Sequence, residues 1–277
     1  MKTSVHFFNN LKTVFAATVI PLEIVLAILL YVYVLGNPEN FQGGDPANHP
    51  MPGNYLGIIY KGGFIVPILL ALLMMVLTFA AERLFTIARA RGRGNVKDFV
   101  RAVKRHLSAG DLYQAIHLCD RQKGSVANVV RAGLLKYEEM KDSIHLDQDR
   151  KILAIRKDIE ETTQLEMPML EKNLVIISTI ASIATLMGLL GTVLGMIKAF
   201  AALATAGAPD AVALANGISE ALINTALGIG TSALAIIFYN YFTSKIDTLT
   251  YSIDEAAYSI VQNFAATRTS ETQKIAS

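Results

Sequence analysis

The sequence predicts an all-α integral membrane protein with four transmembrane helices and long cytoplasmic helical extensions. Three observations carry this. Of the 277 residues, 52% are hydrophobic and 17% charged, whereas a soluble domain carries about 25% charged residues. Four apolar runs reach the roughly 20 residues that a helix needs to cross a bilayer. Charge is also segregated: 18 of the 25 Lys and Arg fall between Arg83 and Lys172, beside 13 acids. The net charge of +2 supports neither an acidic surface nor nucleic acid as the main partner. Cys119 is the single cysteine, so no intramolecular disulfide forms.

The apolar runs are Val14–Leu35, Gly62–Ala81, Leu174–Leu203 and Ile218–Phe242. In hydrocarbon their backbone groups must bond internally, which makes helix the expected state. The first run is over-long for a secretory signal, holds Pro21 and Glu23, and lacks a small-x-small cleavage site, so it reads as an anchor. Glu23 is either an intramembrane functional carboxyl or, with the span shifted toward Gly36, an interfacial one. Gly36–Lys61, with several Pro and Gly, is expected to form an irregular outer loop.

The basic side chains set the orientation. Lys2 and Lys12 precede the first span, a dense block from Arg83 to Arg105 follows the second, Thr205–Asn216 has none, and Lys245 and Lys274 follow the fourth. Both termini and the central region are therefore expected in the cytoplasm. The division is 1–61 (first helix and outer loop), 62–82 (second span), 83–172 (cytoplasmic helices), 173–242 (pore-lining pair) and 243–277 (cytoplasmic C-terminal helix and tail).

Within the central region, Val96, Phe99, Val100, Val103 and Leu107 recur at three- and four-residue spacing, an amphipathic stripe. Ser108–Gly110 ends that helix and Asp111 caps the next. Ile152, Ile155, Ile159, Thr163 and Glu166 predict a helix running straight into the third span, bent at Pro168. The basic block at 89–105 either holds anionic lipid headgroups or only fixes topology.

The last two spans carry the most specific pattern. Ala181, Ala184, Gly188, Gly191, Gly195 and Ala202 form a small-residue face on the third, with Lys198 or Ala199 in between. Gly217, Ala221, Asn224, Gly228, Thr231 and Ala235 form a matching stripe on the fourth, beside Glu220, Thr225 and Ser232. Such faces let backbones approach closely and predict helix packing and an oligomer. Ser178, Thr185 and Thr192 recur every seven residues. Thr192 and Thr225 both lie roughly 21–23 Å from the intervening turn at 1.5 Å per residue. Two hydroxyls at one depth either form a polar ring on oligomerisation or each bond the carbonyl four residues back.

GLLGTVLGMIKAF (188–200), GISEALINTALGIG (217–230) and the FYN at Phe238–Asn240 resemble the MotA/TolQ/ExbB proton-channel family, most like its ExbB branch. AGDLYQAIHLCD and VVRAGL upstream extend the resemblance over about residues 62–265. It implies a homopentamer in the bacterial inner membrane, with the last two helices lining a central pore. It also implies an ExbD-like single-span partner, a dimer within the pore carrying a proton-bearing Asp, and a TonB-like protein driven by the proton motive force. Matched by motif, the pore threonines fall on Thr192 and Thr225, and the Glu of the last span on Glu220. The chain departs from the pattern in its added N-terminal span, in Thr185 and Leu234 where Pro is common, and in Asn224 where a small apolar residue is frequent. Asn224 there adds a hydrogen-bonding group to the pore.

Three function classes compete: a proton-channel subunit coupled to a partner, a structural scaffold, and an autonomous channel. Within the family a TolQ-like or flagellar-stator role rivals the ExbB-like one. Paired threonines favour a channel over a scaffold, since packing needs only small residues. No cofactor is expected and an enzyme is disfavoured. The glycine run at Gly188 lacks the Lys-Ser/Thr of a phosphate loop. His117 and Cys119 lack partners at metal spacing and read as a helix surface.

Overall fold

A computed structural model describes residues 2–143, 145–204 and 210–276, with side chains from Phe15 to Ala266. Among these residues the structure is helical with no strand, apart from one isolated bridge between Phe41 and Pro50. In chain order the helices are α1 Lys2–Leu29, α2 Tyr55–Tyr60, α3 Ile65–Arg91, α4 Val96–Ser108, α5 Leu112–Gln122, α6 Gly124–Asp142, α7 Gln148–Glu171, α8 Leu174–Leu203 and α9 Ala211–Ala276. Four are long and apolar enough to cross a membrane, with mean hydropathy between 1.8 and 2.4 in their apolar windows. Those windows involve α1, α3, α8 and α9, so this is a multi-pass membrane protein. The side chains of Lys2, Lys12 and Lys274, and the Thr205–Pro209 part of the expected turn, lie outside the described residues.

Two units form: residues 1–81 with 173–240, and residues 82–172 with 241–277. In the first, α1 continues into a π-helical turn, Leu30–Leu35. Glu23, Ala27 and Leu35 are its buried side chains. Their spacing in multiples of four overshoots an α-helical turn of 3.6 residues, and the wider π turn brings Leu35 back to the same face. The 36–61 segment corrects the expectation of an irregular loop. Asn40, 7% exposed, donates to the Val34 and Leu35 carbonyls at 2.8 and 3.0 Å and accepts from Asn54. Buried Phe41 lies edge-on to Tyr60, which stacks on Tyr31 with ring centroids 4.7 Å apart. Lys61 donates to the Pro46 and Ala47 carbonyls, and burial pulls its ammonium below the usual lysine pKa. Polar residues here satisfy the backbone, a use that composition alone does not reveal.

In the second unit all five residues of the predicted α4 stripe are buried, and the Asp111 side chain caps α5 by accepting from the Gln114 amide. Asn263 of α9 donates to the Leu107 carbonyl and accepts from the Tyr137 hydroxyl, tying the end of α4 to α6. Arg83 is 2% exposed rather than a surface charge. Its guanidinium meets the Glu82 carboxylate at 2.6 Å and the Leu170 carbonyl at 3.0 Å, filling an acceptor that the end of α7 leaves open. Cys119 also corrects the surface reading. It is 2% exposed, and burial pushes its thiol up to about 12.

The helix expected to run straight into the third span does not. It stops at Glu171, and Asn173 adopts the left-handed conformation with φ 67° before α8 begins. Asn tolerates that region better than other side chains, so it, and not Pro168 inside α7, breaks the path. The helix that carries the fourth span does not stop at Phe242; α9 continues unbroken through it.

Candidate functional site

α8 and α9 meet along the two small-residue stripes. A methyl group on Gly195 would lie 2.6 Å from the Ala221 amide nitrogen and 2.7 Å from the Gly217 carbonyl. One on Gly228 would lie 2.6 Å from the Ala184 carbonyl and 2.7 Å from the Gly188 Cα. Only glycine permits this backbone contact. Gly188, Gly191, Gly195, Gly217 and Gly228 are all buried. The stripe on α8 is therefore met by α9 of the same chain, the helix packing that the small residues predict.

Close approach brings the two threonines together. The Thr192 and Thr225 hydroxyls hydrogen-bond each other. Thr192 Oγ1 also reaches the Gly188 carbonyl at 3.2 Å, and Thr225 Oγ1 the Ala221 carbonyl at 3.0 Å. Each hydroxyl has one hydrogen, so both cannot give to a carbonyl and still bond one another. Two arrangements satisfy the pair: Thr192 gives to Thr225, which gives to Ala221, or Thr225 gives to Thr192, which gives to Gly188. The pair can reverse its direction by rotating two hydroxyls. Within one chain, carbonyl bonding four residues back is thus available to either hydroxyl, though not to both while they bond each other.

The other hydroxyls of the seven-residue series behave differently. Ser178 and Thr185 bond the Val175 and Ala181 carbonyls of their own helix. With Ala181, Ser182, Ser232, Ile236 and Tyr239 they line a groove of about 400 Å³ between α8 and α9. Ser232 crosses to the Ala181 carbonyl at 2.7 Å.

Glu220 is 7% exposed and paired. Lys198 Nζ meets its two oxygens at 2.6 and 2.8 Å. The lysine side chain is 53% exposed and the glutamate side chain 9%, so the ammonium is the outward partner. Gly63, at φ 74°, leaves room for the carboxylate, since a methyl there would lie 2.6 Å from Oε1. Sequence reasoning noted Lys198 only as a stripe position and missed the pair. The signal was available: opposite charges on two adjoining apolar helices need each other.

Asn224, expected to add a hydrogen-bonding group to the pore, bonds within the chain. It is fully buried and donates to the Gly62 carbonyl at 2.8 Å, while Oδ1 has no partner. It holds the start of the second span to the fourth. His117 is exposed while Cys119 is buried, so the two face different environments.

The sequence model of the MotA/TolQ/ExbB proton channel family matches residues 122–255. The Tol-Pal system protein TolQ of Pseudomonas aeruginosa is 29% identical over 64% of this chain and 80% of its own length. The biopolymer transport protein ExbB of Neisseria meningitidis is 26% identical over 79% of this chain and 93% of its own length. That of Helicobacter pylori reaches 42% over 29% of this chain and 55% of its own length, a shorter stretch.

Proposed function

Because the chain belongs to the MotA/TolQ/ExbB proton channel family, we propose that it is an ExbB-like channel subunit of the bacterial inner membrane. Five copies surround a pore lined by α8 and α9, with both termini and the second unit in the cytoplasm. An ExbD-like single-span dimer occupies the pore, and proton flow energises a TonB-like protein for outer-membrane transport.

The carrying observation is the Thr192–Thr225 pair, deep in the membrane on two helices whose acids are few. Between residues 173 and 240 only Asp210 and Glu220 are acidic, and Glu220 is engaged by Lys198. Hydroxyls orient a hydrogen bond in either direction but do not become bases at neutral pH. The partner helix therefore supplies the titratable carboxyl, and the threonine pair receives and reorients its hydrogen bond. Glu220 and Lys198 pair toward the Leu203 end of α8. Glu220 is also the family-matched residue of the proton pathway.

The test uses proteoliposomes. The chain alone should pass few protons, and the complex with its partner should pass many. Thr192→Val together with Thr225→Val keeps shape and removes both hydroxyls, so the oligomer should persist while flux through the complex falls at least tenfold. Undiminished flux would reduce the pair to packing. A TolQ-like role in envelope integrity has its own support in the resemblance to the Pseudomonas TolQ protein, which extends over 80% of that relative. Pull-down of the native membrane partner separates the two roles.

A further inference from the structure

Glu23 has no part in the reading above. It is 6% exposed, yet its neighbours Leu22, Ile24, Val25 and Leu26 are 65, 43, 54 and 46% exposed. From Phe15 onward the helix thus turns its one charged residue inward and shows apolar side chains outward. The Thr78 side chain of α3 faces the carboxyl, and α1 also meets α3 through the edge-on contact of Phe15 with Phe79. Its second oxygen, Oε2, is enclosed and without a partner.

Depth agrees across the two helices. Glu23 lies 12 residues before Leu35, and Thr78 lies 13 after Ile65. Both are roughly 18–20 Å from the ends shared by the two helices, near the middle of a 30 Å hydrocarbon layer. Neither α1 from Phe15 to Leu35 nor α3 from Ile65 to Ala81 carries another charged side chain. Of the tyrosines in the π-helical turn after α1, Tyr31 donates its hydroxyl to the Tyr60 carbonyl and Tyr33 is 71% exposed. No ion pair among the described residues includes Glu23.

We propose that Glu23 and Thr78 form a membrane-embedded proton-holding site, separate from the Thr192–Thr225 pair, which reacts with hydrophobic carbodiimides. Among the described residues a carboxylate at this place would face no cation, an arrangement that hydrocarbon penalises heavily. A neutral acid fits instead. Protonated, the carboxyl brings no charge into the hydrocarbon, and the enclosed Oε2 is left as a carbonyl, the form least costly to leave unpartnered.

The reaction balances without any further reactant. The carboxyl proton passes to one carbodiimide nitrogen and the carboxyl oxygen bonds the central carbon, giving an O-acylisourea. The acyl group then shifts from oxygen to nitrogen, giving a stable N-acylurea. Nothing leaves and nothing is oxidised.

The full chain in lipid vesicles is treated with dicyclohexylcarbodiimide at pH 6 and pH 8, and the labelled residue is located by mass spectrometry. Glu23 should carry the adduct at both pH values, with less than a twofold change in rate. Glu220, held by Lys198, should stay unlabelled. A charged, water-soluble carbodiimide should leave Glu23 unmodified. Glu23→Gln keeps the size and removes the acid, so it should abolish that adduct while preserving the fold. A water-exposed carboxylate with a pKa of about 4.3 loses roughly tenfold in reactivity per pH unit in this range. A fall of that size, an unlabelled Glu23 in the folded wild type, or an adduct that survives Glu23→Gln would overturn the site. Because proton flux is not measured, the outcome does not depend on the channel reading.

Discussion

The α8–α9 seam and the α1–α3 seam solve one problem, holding membrane helices together, by different means. Between α8 and α9 glycines bring backbones into contact, and threonine answers threonine and lysine glutamate, although the buried Asn224 there keeps Oδ1 unpartnered. Along α1 only a narrow line is buried, and its carboxyl keeps an oxygen unpartnered. Apolarity does not distinguish the two, since lipid is as apolar as any side chain. Closeness and polar matching do. The last pair is accordingly the rigid frame, and the added first helix is the more lightly attached element.

That contrast can be broken most severely at Gly195. Gly195→Leu drives a side chain into the Ala221 and Gly217 backbone, and should destabilise the protein by on the order of 3 kcal/mol. Loss of a monodisperse species in detergent and a lower unfolding midpoint would register it. Gly230→Ala, whose added methyl meets nothing within 4 Å, should cost much less. Equal effects would show that backbone contact does not set the seam.

An intermediate effect is expected at Lys198. Lys198→Met strands an almost buried carboxylate, and with the lysine half-exposed the cost should be about 1–2 kcal/mol. Adding Glu220→Gln should recover most of it. A double-mutant cycle in denaturant reads the coupling, and additive losses would mean the pair contributes nothing. The smallest change belongs to the first helix. Tyr31→Phe removes the bond to the Tyr60 carbonyl but keeps the ring stack, and should cost about 0.5–1 kcal/mol. A loss as large as that at Gly195 would mean that α1 is no less firmly held than α9.

What could be read from the residues was whatever repeats along one helix. The bounds of α8, Leu174–Leu203, coincide with the apolar run, and the α4 stripe is buried as spaced, because composition and period are local properties. The equal depth of Thr192 and Thr225 was also legible, since antiparallel neighbours convert residue counts into height. Lys198 with Glu220 was not, because their pairing depends on the rotation of two helices about their axes as well as on height. Nor was the order around Asn40, where one amide satisfies carbonyls that a composition count assigns to loop. The break at Asn173 had a faint mark, an asparagine between a charged helix and an apolar run.

The bond from Asn224 to the Gly62 carbonyl joins residues 162 positions apart, and this has a bearing on how the chain is made. The second span leaves the ribosome long before the fourth exists. Until α9 is inserted, the carbonyl at the head of α3 lacks this donor, and Glu220 has not yet come to lie against Gly63. A truncated or stalled product ending before residue 224 therefore exposes an unfinished membrane surface, the kind of defect that quality-control proteases recognise. Completion of the last helix acts as the closing stitch of synthesis, and nascent chains should change from protease-sensitive to resistant as that residue enters the bilayer.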